Sequence, residues 1–247
     1  MFHIETFIEF DEAKHLYKHR DTGEEYTSAT TLLKKYKKVF NSDLIASKIA
    51  KRDKLEKAGI LQEWADKAET ASKHGRKVHK ALEDYHRGKE YDPELESQIQ
   101  KYRELGVIED TDTILSEFLL ALHPYKLAGT ADIIRLEDKG YFSIFDLKTN
   151  KAIKFASPYK EQLLPPLNHL AAVELNIYAL QLSLYAYMFS HMTGKRLSQI
   201  GIIHYEQVKD TFIHYPVSYL KSDIINLLTD YKKREDEVLL IKGQQTY

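Results

Sequence analysis

The chain has 247 residues, 43% of them hydrophobic and 30% charged, which is enough to bury a sizeable core and unlike a disordered or collagen-like composition. Its 36 Lys and Arg nearly balance 37 Asp and Glu, so bulk charge names no partner. With no Cys, disulfide frameworks, thiolate zinc sites, iron–sulfur clusters and cysteine nucleophiles are excluded, and a reducing cytoplasm fits. The acidic start MFHIETFIEFDE does not read as a signal peptide, and the longest apolar stretch, Leu175 to Met188, is too short and too interrupted for a membrane span. A single domain without a membrane partner is expected, with residues 1–70 a helical, basic N-terminal part and 71–247 the core.

In chain order, a small hairpin is expected around Asp21-Thr22-Gly23. Thr27 or Ser28 can then cap a helix running through Tyr36. Helices follow at 43–58, 60–70 and 72–87, the last stopping at Gly88, with a weaker one at 93–105. Strand periodicity begins at Thr113 and covers 113–121, 127–136 and 141–149. The stretch 153–172, with Pro158, Pro165 and Pro166, reads as a long irregular loop of the kind that is often functional. A helix at 173–192, strands at 198–206 and 211–217, and a helix at 218–240 complete the chain. Helices around three to five strands give an α/β class with a central mixed sheet.

Charge is unevenly spread. Between Lys34 and Lys57 nine Lys and Arg outnumber the acids, whereas Glu90 to Glu117 holds nine acids and two bases. Charge runs are usually solvated helix faces. The sharper reading is a basic arm for a polyanion, with Lys35, Lys38, Lys51 and Arg52 on phosphates and Tyr36 stacking on a base.

The chemistry-bearing segment is Gly129-Thr130-Ala131-Asp132 followed by Asp146-Leu147-Lys148-Thr149. Strand alternation puts Ile144, Asp146 and Lys148 on one face and Phe145 and Leu147 on the other. A three-residue loop ending in a left-handed Gly140 places Asp132 opposite Asp146, at a Cβ separation of about 5 Å. Two carboxylates so close call for a cation, and hard oxygen donors favour Mg²⁺ or Mn²⁺. Lys148 beside it can orient or help deprotonate a water that attacks a phosphodiester. An ordinary salt-bridged patch on the sheet would use the same residues. His79 and Glu83 share one helix face, as do Gln181 and Tyr185. The latter pair also fits a core stripe with Tyr178, Leu182 and Met188. His74 and His86 read as surface or packing residues. Glu83 can pair with Lys80 or Arg87, and Glu117 can approach from the neighbouring strand or lie against Lys148.

Taken together, Gly75-Arg76-Lys77-Val78-His79 with Ala81-Leu82-Glu83, the two strand motifs, and Gln181-Leu182-Ser183-Leu184-Tyr185 resemble the PD-(D/E)XK nucleases, specifically their RecB-like exonuclease branch. The resemblance implies a restriction-endonuclease-like core in a stand-alone, phage-type nuclease working in the host cytoplasm. It also implies metal ligation by His79, Asp132, Asp146 and the Leu147 carbonyl, with Glu83 and Glu117 as outer partners. Asp132, Asp146 and Lys148 are then catalytic, and Gln181 and Tyr185 position the substrate phosphate and the catalytic strand. The implied activity is Mg²⁺- or Mn²⁺-dependent DNA hydrolysis from single-stranded ends. A structure-specific endonuclease, a catalytically silent nucleic-acid-binding protein of the same fold, and a hydrolase of small phosphoesters are the other readings. No helicase phosphate-binding motif is present in the sequence.

Overall fold

A computed structural model describes residues 6–38, 41–156 and 160–244. Residues 1–5, on which the signal-peptide reading partly rests, and Pro158 lie outside the described residues.

The N-terminal part opens with three short strands: β1 (Ile8–Asp11), β2 (Leu16–His19) and β3 (Glu25–Ser28). The expected hairpin is that of β2 and β3, which pair antiparallel. That β1 to β3 join the main sheet was not expected of a helical N-terminus. They are four residues each, polar and charged, and too short to show a period. Their anchorage is tertiary: Ile8, Tyr17 and Tyr26 are buried against Ala121 and Ala128 of the central strands.

Ser28 caps α1 (Ala29–Lys34) by accepting the Thr31 N–H at 3.0 Å. Helix α2 (Ser42–Asp53) follows, and then α3 (Lys57–His86), one 30-residue helix where a break near residue 71 was expected. No Pro or helix-ending Gly stands there to stop it. A short 3-10 turn at Pro93–Leu95 leads into α4 (Glu96–Glu104).

The core strands are β4 (Thr113–Leu122), β5 (Leu127–Leu136) and β6 (Tyr141–Lys148), close to their expected bounds. Helix α5 (Glu174–Thr193) crosses over to β7 (Arg196–Glu206), parallel to β6. Strand β8 (Thr211–Pro216) and helix α6 (Lys221–Gln244) end the chain. The eight strands form one mixed sheet in the order β1-β2-β3-β5-β6-β7-β8, with β4 paired to the other edge of β5. Helix, three antiparallel strands, helix and parallel strand make up the restriction-endonuclease-like core, and the α/β class holds. On one face α1, α5 and α6 cover Ile134, Phe142, Ile144 and Ile202. On the other, α3 and α4 cover Ile133, Phe145, Leu147 and Ile203.

One feature of this sheet positions everything that follows. Strand β4 pairs with one edge of β5 from Leu127 to Leu136, interrupted only at Asp132 opposite Glu117. The opposite edge is shared: β3 pairs in parallel with Leu127 and Ala128, and β6 pairs with Ile133 to Leu136. The segment between them, Gly129-Thr130-Ala131-Asp132, has no ladder partner on that edge. The sheet divides there.

Helix α5 closes over the division. A Cβ added at Gly129 would lie 2.6 Å from Cε1 of Tyr185, whose side chain is buried. Only a glycine allows that approach. Replacing it forces a packed aromatic ring to move, so Gly129→Ala should cost about 1–3 kcal/mol in denaturant unfolding. Gly75→Ala should cost less, because the neighbour met there is the Thr149 hydroxyl, which can rotate away.

Candidate active site

The side chains converge on the divided stretch of β5. Beyond the Ile133–Phe145 pair, the register continued by one step sets Asp132 across from Asp146, as the turn geometry predicts. Gly140 has the expected left-handed φ of +79°. The backbone ladder stops there, and the Asp132 carboxylate takes its place by accepting the Leu147 N–H at 2.7 Å. Asp132 is thereby held between two strands that are parting, open to both sides of the sheet.

From α3, His79 brings Nδ1 to 3.7 Å from Asp132 Oδ2. Gly75, one turn earlier, lets the helix come this close. A Cβ there would meet Thr149 Oγ1, just past the end of β6, at 2.6 Å. From β4 comes Glu117, with Ser116 paired to Ile133 and Phe118 to Ala131 on either side of it. Glu117 itself has φ +48°, a left-handed conformation inside a strand that costs on the order of 1–3 kcal/mol for a non-glycine residue. His79, Glu117 and Asp132 each offer a ligand atom, and these atoms lie within 4.8 Å of one another. Burial pushes the Glu117 carboxyl up to about 8, and the charges of Asp132, Glu83 and Asp146 add to the effect while Arg87 opposes it. One imidazole and two carboxylates held together against their own repulsion suit a divalent cation with oxygen and nitrogen ligands.

Asp146, expected as a ligand, is not one of the three residues whose ligand atoms lie that close together. At 3% exposure the carboxylate needs a counter-charge, and Lys148 supplies one 2.5 Å from Oδ2. Gln181 donates from Nε2 to Asp146 Oδ1 at 3.3 Å and to the Tyr185 hydroxyl at the same distance. The helical Gln–Tyr pair therefore braces the strand that carries Asp146, and Tyr185 belongs to the core stripe as well. Burial raises Asp146, with Lys148 opposing and Asp132 adding. Burial also works against the Lys148 ammonium, but Asp146 and Asp132 outweigh it and its pKa is raised. Lys148 stands 4.8 Å over the Tyr178 ring. Leu147 contributes its amide to Asp132 and its side chain to the core. Glu83 pairs with Lys80 and Arg87.

His79 and Glu117 line a cleft of about 850 Å³. Phe10, His15 and Tyr17 of the β1–β2 hairpin form one wall, and Arg76, His79 and Lys80 of α3 form the other. Tyr17 is fixed over the division by its hydroxyl, 3.0 Å from Thr130 Oγ1. Sequence reasoning missed this hairpin wall, which is built of short strands with no motif of their own. It also missed Arg76, although that residue lies inside the Gly75–His79 motif. Among the described residues Arg76 reaches Ser72, at 2.6 Å, and pairs with no carboxylate.

The proposed DNA contacts fare unevenly. Tyr36 is 2% exposed and donates to Asp230 Oδ2 at 2.7 Å, so its ring cannot stack on a base. Lys35 turns to α6, 3.6 Å from Glu235 and over the Tyr231 ring. Arg52 is engaged twice by its neighbour Asp53, at 2.6 and 2.7 Å. Lys38 and Lys51 are exposed.

No known protein family matches the sequence, and no curated protein does. Among solved structures the chain is similar to a "Putative exonuclease" from Eubacterium rectale, at 11% identity over 70% of this chain and 69% of that one, with a TM-score of 0.41. It is also similar to SSO0001, at 19% identity and a TM-score of 0.31, covering 55% of this chain and 58% of the other. Such scores carry no functional argument, so the site is read from its own geometry.

Cation binding should displace the proton that burial holds on Glu117. At pH 7, calorimetry in buffers of different ionisation heat should register close to one proton released per Mn²⁺ bound, and none from Glu117→Gln. Equal release by the two proteins would dismiss Glu117 as a ligand. The same group sets a pH dependence in metal-free protein. Its folded pKa lies above its unfolded 4.5, so its contribution to stability is complete below pH 4.5 and is lost as pH rises through about 8. Glu117→Gln should lack that component in denaturation measured across this range.

Proposed function

We propose that the protein is a divalent-metal-dependent deoxyribonuclease acting on the ends of single strands. The observation that carries the reading is the convergence of His79, Glu117 and Asp132 beside the Asp146–Lys148 pair, with His79 and Glu117 lining an open cleft. His79, Glu117 and Asp132 hold the cation, Asp146 is the carboxylate that joins them, and the Leu147 carbonyl is a further ligand implied by the family resemblance. Mg²⁺ or Mn²⁺ held by these residues would supply Lewis-acid polarisation of a phosphodiester and activation of a water.

The remaining steps belong to the chain's own groups. Lys148, kept protonated by Asp146, offers an ammonium to the negative charge that builds on the phosphate during attack. Gln181 holds Asp146, and Tyr185 holds Gln181 against Gly129, so the strand carrying Asp146 and Lys148 keeps its place. Arg76 and Lys80 line the cleft as cations for the flanking backbone. On this proposal the cleft between the hairpin wall and α3 admits one strand, and so an end rather than a continuous duplex. Among the described residues no helix is long and apolar enough to cross a membrane. A cytoplasmic setting, in the host if the protein is phage-encoded, belongs to the same proposal.

End-labelled linear single-stranded DNA should be degraded with Mg²⁺ or Mn²⁺ and left intact in excess chelator. Asp146→Ala should abolish cleavage. Lys148→Ala should slow it by about 10²–10⁴-fold while cation affinity holds. A covalently closed single-stranded circle should resist, and rapid nicking of it would establish an endonuclease. DNA binding without cleavage under any metal would establish the silent binding protein.

A further inference from the structure

A second, smaller cavity adjoins the site. It has a volume of about 220 Å³ and lies between α1, the irregular segment before α5, and α5 itself. Its walls are Leu33, Leu163, Leu167, Ile177 and Leu180. Two of its lining residues belong to the active-site neighbourhood. Thr30 lines both this cavity and the large cleft, and Gln181 is the residue that holds Asp146. At its rim stand Lys34, the last residue of α1, and Lys37 just beyond. Both are exposed, and among the described residues neither pairs with a carboxylate.

This is an unusual place for an apolar hollow. The segment around it is well packed: Leu163 and Leu167 are buried, and Leu164 donates its N–H to the Tyr36 carbonyl at 2.8 Å. The hollow persists in an ordered wall, next to a buried polar cluster, with two unpaired ammonium groups at its mouth. Apolar walls suit the faces of a flat ring system, and the cations suit an anion attached to it. A nucleotide has both parts.

We infer that this cavity holds one base of the bound strand, next to the nucleotide whose phosphate is cut, with Lys34 and Lys37 on the adjoining phosphate. The inference rests on the nuclease reading and adds to it the place of a base. It also sorts the basic stretch. Lys34 and Lys37 face the cavity, whereas Lys35 and Tyr36, on the other side of the same turn, are taken up by α6. A strand lying across Thr30 would run from this cavity, past Asp146, to Arg76 and Lys80.

The test uses single-stranded oligodeoxynucleotides carrying one abasic residue at successive positions from the end, with Ca²⁺ in place of Mg²⁺ for binding. For the wild type, one position should weaken binding by between about fivefold and a hundredfold more than its neighbours. Ile177→Trp, which fills the cavity from its half-buried side, should remove that position's effect. Lys34→Ala with Lys37→Ala should lower the slope of log affinity against log salt by about 0.7, the value for one phosphate on a single strand. Independently, thymidine 5′-monophosphate should shift the methyl resonances of Leu167 and Ile177. Inorganic phosphate should not, and shifts from phosphate alone would reduce the site to an anion site on the two lysines. A flat abasic scan in a protein that cleaves DNA would overturn the base pocket and leave the nuclease reading intact. Methyl shifts with the nucleotide in a protein that cleaves nothing would do the reverse.

Discussion

Four residues of β5 carry the arrangement. Gly129 to Asp132 lie on an edge that β3 leaves after Ala128 and that β6 joins only at Ile133. Backbone groups without ladder partners need others, and buried ones need them most. Here a side chain takes up part of the role: Asp132 accepts the Leu147 amide. The division also joins the two faces of the sheet. His79 arrives from the α3 side and Gln181 from the α5 side, and both reach the same pair of aspartates. In a continuous sheet, helices on opposite faces would be separated by the backbone layer.

The electrostatics of the division are costly. Asp146 is nearly inaccessible, Glu117 is protonated at neutral pH, and Asp132 stands beside both. Lys148 neutralises one of these charges at 2.5 Å, and His79 faces another. Glu117 adds the backbone strain of φ +48°. A folded chain tolerates such a cluster when the surrounding packing over-determines it, and strain of this kind gathers at functional sites. The packing here is that of two glycines. Gly75 admits α3 to the end of β6, and Gly129 admits Tyr185 to β5, so both helices are pressed against the division.

The basic surface shows how little a charge count says about contacts. From Lys34 to Lys57 the bases outnumber the acids, yet Arg52 is engaged by Asp53, Lys57 by Asp43 and Lys35 by Glu235. The cations left facing the cleft and its neighbouring cavity are Arg76, Lys34 and Lys37, chosen by helix orientation and not by local density. Tyr36 makes the same point for aromatics. Its neighbours in sequence are lysines, but its neighbours in space are the core and Asp230.

Much of the scaffold was legible in the chain itself. Strands β4 to β8, helix α5 and the β5–β6 turn follow from local period and turn chemistry, which a stretch of about ten residues encodes. The opposition of Asp132 and Asp146 follows from the turn at Gly140, since register is set there and propagates along the hairpin. The nearness of His79, Glu83, Gln181 and Tyr185 to that hairpin was implied by motif order. What tertiary structure alone decided involves partners far apart in sequence. The parallel docking of β3 on the start of β5 creates the division, and nothing within either strand announces it. The left-handed turn of Glu117 towards His79, the hydrogen bond from Gln181 to Asp146 and the burial of Tyr36 likewise depend on which groups arrive from other elements. Local sequence sets the direction in which a side chain leaves its own element. What it meets there is set by elements folded from elsewhere in the chain.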